Sequence, residues 1–439
     1  MKVLVVNGSP KGRNSITYQS VRFLQKKFSM DEFEVIHAGA QIGKLSQDMS
    51  EVCEAVEWAD LILFAYPVYT FIAPSQLHKF ITLLKEQKID LSGKYCTQIT
   101  TSKHFYDVTA HRYIEDNCKD MGMRILRGFS ADMNDLLSKK GQLQIITYWN
   151  YIKHIIMQEN SPFAEESDRL PLSEKNKKYK IVIVTDCAQE NDRLRRMIID
   201  FRKALPYVSH VVNLQNFDFR GGCLGCFHCA ADGSCVYNDG FDDFLRKKIQ
   251  RADSIVYAFS IKDHSMGALF KTYDDRQFCN GHRTVTMGKP TAYLIDGEFS
   301  SEKNLQLILE GRSQVGGNFL AGIATNEGIE ADSIASCADK LAYALDHRIM
   351  VNENFYGVGG KKIFRDLVFE MQGMMQADHK FYKEKKLYDF PQKNISTILF
   401  MKLVGLLLRM PASRTKVQPK MTEGMLMPYE KVITGNPIE

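Results

Sequence analysis

Short apolar runs alternate with longer stretches of helical period from the first residue of this 439-residue chain. Val3-Leu4-Val5-Val6 and Leu61-Ile62-Leu63-Phe64 are runs without polar alternation. Such runs suit strands buried on both faces, and helices between them suit a parallel sheet covered on both sides. The pattern predicts an α/β fold, and it then repeats. Lys2-Val3-Leu4-Val5-Val6 is echoed by Lys180-Ile181-Val182-Ile183-Val184, Ala59-Asp60-Leu61-Ile62 by Ala252-Asp253-Ser254-Ile255, and Gly93-Lys94 by Gly288-Lys289.

Spacing tests the repeat. Lys2 to Ala59 is 57 positions and Lys180 to Ala252 is 72, so the second copy is 15 longer there; the next intervals, 34 and 36, nearly agree. The extra length falls around Cys223 to Cys235. Two similar doubly wound parallel-sheet domains are expected, over residues 1–165 and 178–348, the second carrying a cysteine-rich insertion. Asn160 to Lys180, with Pro162, Pro171 and a run of charges, reads as the linker. Residues 349–439 read as a mainly helical extension: a Gly357-Val358-Gly359-Gly360 break precedes apolar positions Ile363, Leu367, Phe369, Met371 and Met374.

Composition narrows the class. With 44% hydrophobic, 25% charged and 11% aromatic residues, the chain is an ordinary globular one, not disordered, collagenous or coiled coil. Its net charge is +5, and residues 351–439 hold 14 Lys+Arg against 9 Asp+Glu, which leaves 43 of each sign in residues 1–350. A neutral body argues against a nucleic-acid partner. The apolar run in Met1–Pro10 is too short for a signal peptide, and the longest apolar stretch, Ile395 to Met410, is interrupted by Lys402 and Arg409. A cytoplasmic, reducing location is therefore expected, and ten cysteines are too few for a disulfide scaffold.

The first candidate for chemistry is Asn7-Gly8-Ser9-Pro10-Lys11-Gly12-Arg13-Asn14-Ser15-Ile16-Thr17, a strand end leading into a helix. Hydroxyls and free backbone N–H groups at a helix N-terminus suit a phosphate, although the spacing fits neither a Walker loop nor G-x-G-x-x-G. A capped turn with no ligand is the alternative. Two further loops follow: Tyr66-Pro67-Val68-Tyr69 with Ala73-Pro74-Ser75-Gln76-Leu77, and Ile99-Thr100-Thr101-Ser102-Lys103-His104-Phe105. Together these segments resemble the flavodoxin-like NAD(P)H-dependent FMN reductases. The resemblance implies that Ser9, Ser15 and Thr17 hold the FMN phosphate, with Lys11 among the cofactor-binding residues. It implies that Pro67, Val68 and Tyr69 face the flavin ring and that Thr101 and Ser102 touch its polar edge. No protein nucleophile is implied, because the flavin itself carries the reaction with NAD(P)H as substrate.

The second copy departs from this pattern. Thr185-Asp186-Cys187-Ala188-Gln189-Glu190-Asn191-Asp192 has no Gly or Ser and three carboxylates, so FMN is not expected there. Ser260-Ile261-Lys262-Asp263-His264 stands where the tyrosine loop would be.

The second copy has instead Cys223-x2-Cys226-x2-Cys229-x5-Cys235, followed by Asp242-Asp243. Four thiols so close in sequence can converge on one metal centre. Over residues 180–290 this spacing resembles the iron-sulfur flavoproteins, which implies that these four cysteines ligate a 4Fe-4S cluster. Free or redox-active thiols, and zinc with His228, stay open as alternatives. Cys53, Cys96, Cys118, Cys187, Cys279 and Cys337 read as structural.

Taken together, the chain is expected to be an FMN-dependent oxidoreductase with one FMN. It would pass electrons between NAD(P)H, or a ferredoxin-like donor, and a small-molecule or redox-protein acceptor through FMN and the cluster. A redox-sensing or electron-carrying protein, and a plain FMN reductase without a cluster, are the alternatives. His104 and His111 are candidate substrate contacts. In the tail, Ile398 to Leu408 with basic neighbours suits peripheral membrane contact, or else burial against the body or in a homodimer.

Overall fold

The computed structural model describes residues 1–159, 175–327, 333–409 and 411–435; the expected linker, residues 160–174, lies outside them. The chain divides into two compact units, the first comprising 1–157, 352–355 and 390–439, the second 158–351 and 356–389.

In the first unit, β1 (Lys2–Asn7), β2 (Glu32–Ile36), β3 (Leu61–Pro67), β4 (Tyr95–Ser102) and β5 (Arg124–Ile125) form a sheet in the order β2-β1-β3-β4-β5, and β6 (Phe129–Asp132) also pairs with β4. Every pairing is parallel. Val3 to Val6 and Leu61 to Tyr66 are buried on both faces, which is why neither run alternates. The connections are α1 (Ile16–Lys27), α2 (Ala38–Leu45), α3 (Ser50–Trp58), α4 (Ser75–Glu86) and α5 (Asp107–Asp120), with α6 (Lys139–Glu159) following the sheet.

The second unit repeats the plan. Strands β7 (Asn176–Thr185), β8 (Tyr207–Asn213), β9 (Ser254–Ser260), β10 (Thr291–Asp296) and β11 (Leu320–Thr325) pair in the order β8-β7-β9-β10-β11, again all parallel. Its helices include α7 (Asp192–Ala204), α8 (Phe241–Phe244), α9 (Gly267–Arg276), α10 (Lys303–Gly316) and α11 (Ile334–His347). Both sheets thus have the flavodoxin-like order 2-1-3-4-5, and their parallel pairing is what the alternating runs predicted.

The residues that echo one another in sequence make the same bonds in each unit. The amide of Lys2 donates to Asp60 Oδ2 at 2.8 Å, and Asp60 N returns a bond to Lys2 O at 2.9 Å; Lys180 and Asp253 do the same at 2.7 and 2.7 Å. Lys94 Nζ donates to the carbonyls of Glu57 and Ala59, both at 2.7 Å, while Lys289 Nζ donates to those of Gln250 (2.5 Å) and Ala252 (2.7 Å). These latches satisfy the last carbonyls of a helix at the amino-terminal edge of the sheet.

The C-terminal helices are shared between the units. α12 (Phe355–Glu370) and α13 (Gln376–Glu384) lie almost wholly in the second, α14 (Ile395–Arg409) and α15 (Pro411–Thr434) in the first. The expected break at Gly357–Gly360 is not one: α12 runs through all four residues. Gly357 and Gly360 serve close packing instead: a Cβ at Gly360 would stand 2.5 Å from Val315 Cγ2 on α10, and one at Gly357 3.0 Å from Gln314 Oε1. Among the described residues, no helix is long and apolar enough to cross a membrane.

Replacing Lys94 or Lys289 by Met leaves two carbonyls without a donor at the sheet edge. Each substitution is expected to cost about 1–3 kcal/mol, read as a lowered urea midpoint at unchanged slope.

Candidate functional site

The first unit's loops meet at the carboxyl ends of β1, β3 and β4, where an open α/β sheet binds its ligands. The loop after β1 is held from inside by Asn7, whose Nδ2 donates to Gly12 O at 2.9 Å while its Oδ1 accepts from Ser9 N at 3.2 Å. Asn7 Nδ2 also lies 2.9 Å from His37 Nδ1. Burial, and then the charge of Arg13, lower the pKa of His37, which favours a neutral ring able to accept from Asn7. Ser15 stands at the N-cap of α1, but its hydroxyl makes no capping bond. The capped-turn alternative therefore does not describe this helix start, and the buried hydroxyl faces the same cavity as Ser9 and Thr17.

The loop after β3 turns back sharply. Tyr69 and Ile72 exchange backbone bonds of 2.8 and 3.1 Å, and Thr70 and Phe71 between them both have positive φ (46° and 72°). Two residues with side chains in the left-handed region mark a strained turn. It presents Tyr69 and Phe71 at 42% and 47% exposure, with Phe71 5.1 Å from Phe105 and 4.8 Å from Tyr106 by ring centroids. Tyr106 in turn stacks on Phe355 at 4.7 Å. From β4, Thr101 Oγ1 meets Thr17 Oγ1 at 2.5 Å, which ties the third loop to α1.

All nine residues expected at the cofactor, Ser9, Lys11, Ser15, Thr17, Pro67, Val68, Tyr69, Thr101 and Ser102, line one cavity of about 390 Å³. That volume falls within the range of about 300–1,000 Å³ usual for cofactor sites. Apolar walls and hydroxyls converging at a helix start suit a planar ring joined to a phosphate. Sequence reasoning missed Met133 and Met425, which also line it. Met425 arrives on α15, anchored where Tyr429 Oη donates to Met133 O and Arg22 pairs with Glu430.

The two histidines expected near substrate are turned inward. His104 is buried beside Asp107, with Nδ1 3.0 Å from Asp107 Oδ2, and Ser130 Oγ donates to the same carboxylate. His111 Nε2 meets Thr100 Oγ1 at 2.8 Å, and burial brings its pKa down to about 4.

In the second unit the corresponding strand ends carry a polar network, beside a cavity of about 520 Å³ whose lining includes Thr185, Cys187, Gln189 and Arg195. Asp296, buried at the end of β10, accepts from Ser260 Oγ at 2.7 Å and Asn326 Nδ2 at 2.7 Å and pairs with Arg193 Nε at 3.3 Å. Asn191 donates to Ser260 Oγ at 2.7 Å and caps α7 through Leu194 N. Burial raises the pKa of nearby Asp186, although Lys262 lowers it. The backbone turn is nevertheless the same one: Lys262 and Ser265 exchange bonds of 2.9 and 2.9 Å around Asp263 and His264, both with positive φ.

The cysteine loop lies between β8 and α8. Cys223 and Cys226 are exposed, and Cys229 and Cys235 half-buried. Burial raises the pKa of the Cys229 thiol, and Cys223, Cys235 and Cys226 add to the rise. Cys235 N donates to Asp242 Oδ2 at 2.6 Å. Among the described residues, however, no three His, Cys, Asp or Glu side chains close on a point that would hold a metal ion, so His228 does not complete a zinc set. As placed, the loop does not fit a closed four-thiolate cage.

A domain with this strand order and a hydroxyl-lined, aromatic-rimmed cavity at its switch point belongs to the flavodoxin-like class of cofactor-binding folds. Residues 1–129, which supply every strand of that sheet up to the start of β6, match the NADPH-dependent FMN reductase family. A search of curated proteins finds no match. Among solved structures, the FMN-dependent NADH-azoreductase of Bacillus anthracis in complex with FMN aligns at 15% identity over 36% of this chain and 99% of its own, with a TM-score of 0.29. FerB, the flavoenzyme NAD(P)H:(acceptor) oxidoreductase of Paracoccus denitrificans, gives 15%, 36%, 93% and 0.28. General stress protein 14 of Treponema denticola in complex with FMN gives 13%, 35%, 98% and 0.28. At these TM-scores the structural likenesses carry no weight for function.

Gly39, at the start of α2, touches the loop after β1 so closely that a Cβ would lie 2.4 Å from Gly8 O and 2.5 Å from the Ser9 carbonyl carbon. Gly39→Ala is therefore expected to push the loop out of place, weakening FMN binding at least tenfold in a fluorescence titration with the far-ultraviolet circular dichroism unchanged.

Proposed function

We propose that the chain is an NAD(P)H-dependent FMN oxidoreductase whose cofactor occupies the cavity of the first unit. The observation that carries this is the convergence of three separate loops, with all nine expected residues on one cavity wall, inside the segment that matches the FMN reductase family.

Bound FMN supplies two-electron chemistry, accepting an electron pair from a reduced nicotinamide and passing it to an acceptor. The protein's part is to bind and orient. Ser9, Ser15 and Thr17, at the positive end of α1, would take the phosphate with Lys11 beside them. Pro67, Val68 and Tyr69 would support the ring, and Thr101 and Ser102 its polar edge, where donors favour the charge that reduction brings. Tyr69, Phe71 and Phe105 stay partly in solvent and offer flat apolar contact to a second planar molecule. The acceptor is a small molecule or a redox protein, and a reducing compartment such as the cytoplasm suits the free thiols.

A second element rests on the sequence spacing Cys223-x2-Cys226-x2-Cys229-x5-Cys235. We read Cys223, Cys226, Cys229 and Cys235 as ligands of a 4Fe-4S cluster that the loop would have to close upon, and no reaction step here depends on it. Iron and acid-labile sulfide at about four each per chain after anaerobic purification support that reading; zinc, or neither metal nor sulfide, leaves a plain FMN reductase.

For the flavin site, purified protein is expected to hold one FMN per chain and to oxidise NADH or NADPH with an added acceptor. Ser15→Asp sets a carboxylate against the phosphate and is expected to lower FMN affinity by about a hundredfold or more. Two FMN per chain, or undiminished binding by the variant, would put the cofactor elsewhere.

A further inference from the structure

α14 is apolar and uncovered. Ile395, Leu399, Phe400, Met401, Leu403 and Leu406 are 57–63% exposed, and from Ile395 to Leu406 only Val404 and Gly405 are less than exposed. Leu399, Phe400 and Met401 are consecutive, so at about 100° per residue they leave the helix in three different directions. The apolar positions therefore exceed what the neighbouring α15 covers.

Charge points to what covers it. Residues 391–420 hold six basic residues, Lys393, Lys402, Arg409, Arg414, Lys416 and Lys420, and no Asp or Glu. Two copies of so basic a segment repel each other, whereas an anionic lipid surface attracts it. At 15 residues α14 is about 22 Å long, short of the roughly 30 Å of a bilayer core, so it can lie in a membrane surface but not span it.

We propose that α14 docks on the surface of a membrane containing anionic lipid, with its apolar side chains in the acyl boundary and its lysines among the headgroups. The helix is tied to the body by α15, through the Arg22–Glu430 pair and the bond from Lys26 Nζ to Gly435 O at 2.7 Å. Because α15 also brings Met425 to the cavity, docking sets that cavity one helix away from the bilayer. The docking itself stands whether or not the cavity holds FMN.

The test is cosedimentation of the full-length protein with phosphatidylcholine vesicles, with and without phosphatidylserine. Binding is expected with phosphatidylserine, little without it, and a fall as salt is raised. Phe400→Ser combined with Leu403→Ser is expected to abolish it. Lys393→Gln and Lys402→Gln are each expected to weaken it about fivefold, all with unchanged thermal unfolding. Absence of binding to either vesicle, equal binding by the double variant, or a dimer in analytical ultracentrifugation that the double variant dissolves would overturn the proposal, the last by showing that a second copy covers the helix.

Discussion

One buried carboxamide, that of Asn7, shapes the loop on which the first unit's cavity depends. An amide side chain has a donor side and an acceptor side fixed at a set angle, so it can hold two parts of a loop in register where a hydroxyl could not. Asn7 uses its donor side on Gly12 O and His37 Nδ1, and its acceptor side on Ser9 N. The carboxamide holds the turn from below, while the Ser15 side chain makes no capping bond to α1. Burial of His37 belongs to the same arrangement, since a protonated ring would face Asn7 with a second donor and lose the contact. An unpaired buried amide costs about 1–3 kcal/mol, so the loop and the residues that satisfy Asn7 stand or fall together.

The second unit shows what that arrangement is worth by lacking it. It keeps the strand order, the lysine and aspartate latches, and the turn after its third strand. These belong to the amino-terminal edge of the sheet and to backbone geometry, and they maintain the fold. At the carboxyl ends of the strands, Asp296, Ser260, Asn191 and Asn326 bond to one another where the first unit leaves hydroxyls facing a cavity. A buried carboxylate in such a network repels a phosphate. The two units share an architecture without sharing a site, which is the usual relation between fold and function.

What could be read in the sequence was local. The strands announced themselves as unbroken apolar runs because both faces are covered, and the three loops were legible because each is a contiguous segment following a strand. Asn7 was visible as a residue but not as a clamp, since its partners at Gly12 and His37 are joined to it only in space. Met425 lies more than 290 residues from Met133, and nothing in either stretch foretells that they share a cavity. Gly357 and Gly360 misled for a physical reason. Glycine reads as a helix breaker from its backbone entropy, yet here burial against α10 rewards the missing side chain.

The cysteine loop marks the limit of spacing as a guide, because spacing tells whether thiols can meet and not what charge they carry when they do. Four thiolates within one loop repel each other, and a site that gathers them must bring positive charge. The loop's own supply is uneven. Arg276 is held by both oxygens of Asp239 at 2.8 Å, which keeps that carboxyl near a pKa of about 2, and its remaining influence falls on Cys235. Arg246 donates to Gly233 O, and Arg283 to the carbonyls of Cys279 and Asn280. Cys229 Sγ donates to Phe278 O at 3.3 Å, and burial, with a smaller push from Cys223, Cys235 and Cys226, raises its pKa, which favours the neutral thiol. Drawing the four sulfurs closer would raise that cost further unless positive charge came with them, from a basic side chain or a bound ion.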